Sequence, residues 1–326
     1  GSFRSEILEI LTSIHGPVIS QKDGKALAIK VAGLEELEHS SLMEQYWQAG
    51  LSKNLNEFEN ALSGINGPMF NTIYADKKGN IFYEFNALQP IRTKGDVRFW
   101  SGIIDGTDPS LLWQGYRGYE ELPKYRNPES GFVQNSNDPP WTSTFPQVLR
   151  VENFPADTAP EFMHFRAQSG ARMLLGDDSI TYDELVEYRG SNRLVLADAV
   201  LDDLISIARL EEDVSLNEAA TILENWDRRT DQESRGAVLF QTWAMKLQGP
   251  IFSGSLFEKR WSADDPLNTP KGIKESDAAI EALKYAAIDT IENFGQLDVS
   301  WGKAVRMKYA GFDLPSSVGP GALGAI

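Results

Sequence analysis

Near residue 150 the hydrophobic pattern changes its period, and that change limits what the chain can fold into. Before it, apolar residues alternate in short runs among Gly, Pro and Asn. Ile73 and Ala75, then Ile81, Tyr83 and Phe85, flank Lys77-Lys78-Gly79-Asn80 and predict a β-hairpin. One helix interrupts this part: Leu42, Tyr46, Leu51, Leu55, Phe58 and Leu62 form an apolar stripe that predicts a single helix over 42–62. From about residue 177 the pattern is helical. Thr181-x-x-Glu184 and Ser215-x-x-Glu218 have capping-box form, Arg235 to Leu247 is a third helix, and another starts after Ser276 and stops before Gly295, a C-terminal glycine. Strands first and helices after predict an α+β chain, with a β-rich part over 1–150 and a mainly helical part over 151–326.

Composition removes whole classes of function. With 31 Lys and Arg against 47 Asp and Glu the formal charge is −16, so no nucleic acid or anionic membrane partner is expected. There is no cysteine, which excludes disulfides, thiolate metal sites and a cysteine nucleophile. Three histidines, His15, His39 and His164, are too few for a multi-histidine zinc site. No apolar run is long enough to span a membrane, and Gly1-Ser2 without a starting Met reads as a tag scar or a cut end.

Individual residue types are weak signals. Gln134-Asn135-Ser136-Asn137-Asp138-Pro139-Pro140-Trp141 is turn-forming by composition, although such a loop can also hold an amide rigidly enough to serve as an oxyanion donor. His15 reads as a structural residue in a turn before a strand, and His164 as part of a packed helix or strand face. The acidic runs Glu35-Glu36-Leu37-Glu38 and Glu211-Glu212-Asp213 read as solvated surface. Asp177-Asp178-Ser179 reads as a loop or cap rather than a calcium site.

Taken in order, several segments resemble the penicillin acylase family of N-terminal nucleophile hydrolases. They are His15-Gly16-Pro17-Val18-Ile19; Asn71-Thr72-Ile73-Tyr74-Ala75-Asp76 with Gly79-Asn80-Ile81-Phe82-Tyr83; Trp113-Gln114-Gly115; Glu121-Leu122-Pro123; and Asn127-Pro128-Glu129-Ser130-Gly131-Phe132-Val133 running into Gln134-Asn135-Ser136-Asn137-Asp138. Phe165-Arg166-Ala167-Gln168 is similar to the family's R-x-Q segment. Trp226-Asp227 and Pro266-Leu267-Asn268-Thr269-Pro270-Lys271-Gly272 look most like its acyl-homoserine lactone acylase branch.

The resemblance implies part of an αββα sandwich with an appended helical region. It implies amide hydrolysis by a Ser at the start of a β-chain, whose own α-amine, with a pKa of about 7.7–8.0, serves as base. Asn137 then matches the side-chain oxyanion donor and Arg166 the arginine that organises the site, with Arg172 six residues on as the other arginine of the segment. Met69 and Phe70 match positions that line the acyl pocket, and a core role suits them equally.

The HGPV turn normally lies far downstream of the nucleophile, whereas here it begins at residue 15. Ser2 is therefore not expected to be catalytic, and the chain is expected to be a central β-chain fragment, inactive alone. Its expected partners are an acyl amide substrate and the remaining acylase segments. No cofactor or metal is assigned, and exposed apolar surface would favour self-association. A periplasmic or extracellular address is implied by the resemblance alone. The competing expectation is a noncatalytic binding or scaffolding module built on the same fold.

Overall fold

The computed structural model describes residues 9–33, 42–67, 70–86 and 88–326. Two units form within the chain, 1–133 with 146–160, and 134–145 with 161–326.

The first unit begins with an antiparallel sheet of β1 (Thr12–Ser13), β2 (Gly16–Lys22) and β3 (Lys25–Ala28) in that order. His15 occupies the turn between β1 and β2, as expected, and its Nε2 lies 2.9 Å from the Gly106 carbonyl oxygen. Gly16 follows with φ +92°, and a Cβ added there would lie 2.3 Å from the Ile29 carbonyl oxygen. The glycine of this turn is therefore required both by conformation and by space.

The helix predicted over 42–62 is two helices, α1 (Leu42–Leu51) and α2 (Leu55–Leu62). The break lies at Asn54, an extended N-cap whose side chain accepts the Glu57 amide at 3.1 Å, while Glu57 accepts from the Lys53 amide at 3.0 Å. A side chain that satisfies the backbone outside the helix competes with helix continuation, and here it prevails over the apolar stripe.

The predicted hairpin is β4 (Phe70–Ala75) with β5 (Ile81–Asn86), extended by β6 (Lys124–Arg126) into an antiparallel sheet. Phe82 and Tyr83 are both fully buried, because each face of this sheet is covered. Phe82 packs with Leu55 and Leu62 of α2, while Tyr83 stacks on Tyr125 at 5.5 Å on the opposite face. The hairpin turn is built on Asp76. Its Oδ1 accepts the Lys78 and Asn80 amides at 2.8 and 3.0 Å, and its Oδ2 accepts from Tyr74 and the Asn80 side chain, each at 3.0 Å. Those bonds, the Asn80 side chain foremost, hold its carboxyl down at about 2. Beyond the hairpin, the short α3 (Val97–Trp100) is started by Asp96, whose side chain accepts the Phe99 amide at 2.8 Å.

The second unit is helical: α4 (Phe165–Leu175), α5 (Tyr182–Arg189), α6 (Val195–Leu210), α7 (Val214–Glu224), α8 (Ala237–Lys246), α9 (Gln248–Phe252), α10 (Ser276–Phe294) and α11 (Trp301–Ala304). It closes with the hairpin β7 (Arg306–Tyr309) and β8 (Phe312–Pro315). Its core lies among α6, α7, α8 and α10, where Trp243 is fully buried and donates its indole N–H to the Ala279 carbonyl at 3.0 Å. The capping box at Thr181 and Glu184 forms as expected, and α10 ends at Gly295 in the left-handed conformation. The box expected at Ser215 does not form. Asp213 caps α7 instead, its Oδ1 accepting the Ser215 and Leu216 amides at 2.8 and 3.2 Å. Asp177 does act as a loop residue, accepting the Ser179 amide at 2.9 Å and the Tyr188 hydroxyl at 2.7 Å. Among the described residues no helix is long and apolar enough to cross a membrane.

Candidate active site

The amide-rich loop at 134–141 belongs to the second unit and is tied down at nearly every residue. Gln134 donates its backbone N–H to Ser143 O at 2.8 Å and its side-chain amide to Thr142 O at 2.7 Å. Asn135 folds over the residues two and three positions on, its Oδ1 accepting the Asn137 and Asp138 amides at 2.7 and 3.1 Å, and its Nδ2 donating to Asp138 O at 2.9 Å. This Asx turn brings Asn137 to φ +67°, a left-handed position that Asn tolerates better than other side chains. Pro139 and the 3₁₀ turn Pro140–Thr142 then fix the exit, with Trp141 buried beneath it.

Asn137 and Arg166 meet directly. Arg166 sits in the first turn of α4, and its Nη2 donates to Ser136 O and to Asn137 Oδ1, both at 2.6 Å. A guanidinium only donates, so it faces the amide oxygen and leaves Nδ2 as the outward edge of this exposed side chain. Nδ2 has no partner among the described residues. The result is an amide of fixed orientation, polarised by a cation at its oxygen and presenting N–H to solvent. That disposition suits an oxyanion donor.

Arg172 has a different task. It bonds Leu267 O through Nε at 3.1 Å, and burial lowers its pKa. Gln168 donates to Pro266 O at 2.9 Å and Thr269 O at 2.7 Å, so the face of α4 away from the loop holds the 266–270 segment.

Next to this pair lies an arrangement that the sequence reading missed. The Asp138 side chain is 1% exposed; its Oδ2 accepts the His164 amide at 2.9 Å and its Oδ1 lies 2.5 Å from His164 Nδ1. His164 is thus not on a packed face as expected. It is the residue before α4, with a ring 47% exposed on its outer side. The correction has a simple cause: its partner lies 26 residues away, on the loop. The available signal was an Asp directly after the N-x-N pair and a His directly before F-R-x-Q.

Of the other expected site residues, Phe70 lies in the first unit as the opening residue of β4, 52% exposed and edge-on to Tyr46 at 6.3 Å. Met69, Ser2, His39 and the acidic run at 35–38 lie outside the described residues. Among the described residues no group of three His, Cys, Asp or Glu could hold a metal ion.

Comparison with known proteins extends these observations. The family model described as penicillin amidase matches residues 3–323. The acyl-homoserine lactone acylase PvdQ of Pseudomonas putida is 24% identical over 99% of this chain, which spans 44% of that protein. Aculeacin-A acylase of Actinoplanes utahensis is 28% identical over 62% of this chain and 30% of its own length. The chain thus spans less than half the length of these curated relatives. A thermostable penicillin G acylase from Alcaligenes faecalis superposes with a TM-score of 0.64 at 21% identity, covering 97% of this chain and 62% of that one. The α+β fold is therefore that of a penicillin acylase, an N-terminal nucleophile hydrolase fold.

Proposed function

The chain belongs to the penicillin amidase family, and on that premise we propose that it is the part of a linear-amide acylase that supplies the oxyanion donor. The carrying observation is the contact between Arg166 and Asn137, which leaves the amide N–H edge of Asn137 outward. In this reading a Ser and its α-amine, carried by another segment of the complete protein, attack the amide carbonyl, and the Asn137 side chain receives the charge that develops on oxygen. Arg166 acts through Asn137 by fixing and polarising its amide. The substrate is an acylated amine with a lipophilic acyl group. Two relatives named as acylases of acyl-homoserine lactones and of aculeacin A support that class. Met69 and Phe70, both apolar, are proposed to line the acyl pocket, and an exported location goes with the same reading.

The test is Asn137→Ala in the complete acylase. Turnover should fall by about two to three orders of magnitude with KM little changed, since an oxyanion donor is worth about 2.7–4 kcal/mol in the transition state. A loss below about threefold would remove Asn137 from the mechanism. The isolated 326-residue chain should be inactive on a panel of acyl amides. Turnover abolished by Ser2→Ala would overturn the fragment reading.

A further inference from the structure

The outer side of His164 opens on a cavity of about 460 Å³ formed wholly within the second unit. Phe162, Phe252, Phe257 and Trp261 make its walls, so most of its surface is apolar and aromatic. A volume of this size accommodates a small organic molecule. Its titratable lining side chains are His164, Arg260 and Glu161, joined by the Ser253 hydroxyl.

Arg260 favours an anion, and so does His164 when its ring carries a proton on Nε2 as well as the one that Nδ1 gives to Asp138. Arg260 has no ion pair or hydrogen bond among the described residues, while its stem lies over Gly254, where an added Cβ would be 3.8 Å from Arg260 Cγ. It is a guanidinium placed beside an apolar chamber without a carboxylate of its own. His164 is held from behind by buried Asp138, so its ring cannot turn, and Nε2 has no partner among the described residues. Phe162 packs edge-on against the imidazole at 4.5 Å and restricts it further. Glu161 is the one opposing charge, and it is exposed.

We propose that this cavity is a binding site for an apolar carboxylate, with the carboxylate on Arg260, the Nε2–H of the doubly protonated His164 ring as the second polar contact, and the hydrocarbon or aryl group among the aromatic rings. Guanidinium and carboxylate match in a planar two-point geometry, and the aromatic walls offer the hydrocarbon or aryl group an apolar surface to pack on. The site adjoins the Asn137 loop through Asp138 but shares no residue with the oxyanion arrangement. It therefore stands whether or not the acylase reading holds.

Calorimetric titration of the chain with three probes of one aryl group tests this: phenylacetate, phenethylamine and 2-phenylethanol. Phenylacetate should bind saturably and more tightly than the other two. Arg260→Gln should weaken it by at least about tenfold, the effect of losing a charge-assisted hydrogen bond. His164→Ala should weaken it less, and Glu161→Gln should leave it unchanged or tighter. Arg260 and Glu161 are exposed, so both variants should melt with the parent chain, which a thermal scan verifies. Asn137→Ala should bind phenylacetate normally even where it abolishes turnover, which separates this site from the proposed catalytic function. The proposal is overturned by phenethylamine binding as well as phenylacetate, by Arg260→Gln binding like the parent, or by the absence of saturable heat.

Discussion

Replacing Asp138 offers a sharp test of how the N-x-N loop is held to α4. Its buried carboxylate receives two hydrogen bonds from His164, one from the backbone amide at 2.9 Å and one from Nδ1 at 2.5 Å. Hydrogen bonds to a charged group contribute about 1.5–3 kcal/mol each, but the ring of His164 is half exposed and water can replace part of its share. Asp138→Ala should therefore destabilise the chain by about 3 kcal/mol, most of it from the orphaned backbone N–H and the vacated space. Asp138→Asn should cost about 1–2 kcal/mol. The asparagine oxygen can still accept the His164 amide, and its NH₂ then faces Nδ1, which becomes an acceptor if the ring changes tautomer. Urea unfolding followed by tryptophan fluorescence reads the order of stability, and ¹⁵N spectra of the imidazole read the tautomer. Equal losses for the two variants, an inverted order, or an Asn variant that keeps its hydrogen on Nδ1 would refute the two-bond account.

Other expectations follow from the same structure. The Asp76 carboxyl is held below its ordinary value of 3.8, at about 2, so its contribution to hairpin stability is complete above pH 3.8 and is lost as pH falls through about 2. Asp76→Asn should accordingly lower the melting temperature near neutral pH and converge with the parent chain below pH 2; a gap that persisted there would contradict the assignment. Gly16→Ala combines φ +92° with a Cβ placed 2.3 Å from a backbone oxygen, and should destabilise by more than about 2 kcal/mol or prevent folding. Gly295→Ala has a left-handed φ but open space, so about 1 kcal/mol is expected; chemical denaturation of the two variants should show this contrast. Arg166→Leu in the complete acylase should lower kcat with KM nearly constant, and Arg166→Lys should recover part of the loss because a cation again faces the Asn137 oxygen.

What the sequence disclosed and what it withheld divide along the range of the interactions. The hairpin at β4 and β5, the capping box of α5 and the glycine end of α10 all depend on residues within a few positions of one another, and all were legible. Even at short range two devices competed, and pattern alone did not rank them. Asn54 capped a new helix inside an apolar stripe, and Asp213 took the cap that Ser215 was expected to supply. Asp213 stands one residue before α7 and accepts two amides at once, whereas Ser215 already lies inside the helix. The candidate site depends on longer range. Asn137 and Arg166 were singled out by motif, but nothing in either motif states that a guanidinium lies on the amide oxygen or that Arg172, six residues on, serves the 266–270 segment instead. A rise of 1.5 Å and a turn of 100° per residue put Arg166 and Arg172 on different faces of α4, so once one arginine faces the loop the other cannot. Asp138 and His164 were invisible as a pair because they lie 26 residues apart and only the folded loop joins them. The physical content of the N-x-N segment is thus larger than its two asparagines. Asn135 folds the turn, Asp138 fastens it to α4, and Asn137 is left to adopt a left-handed conformation with its amide N–H outward.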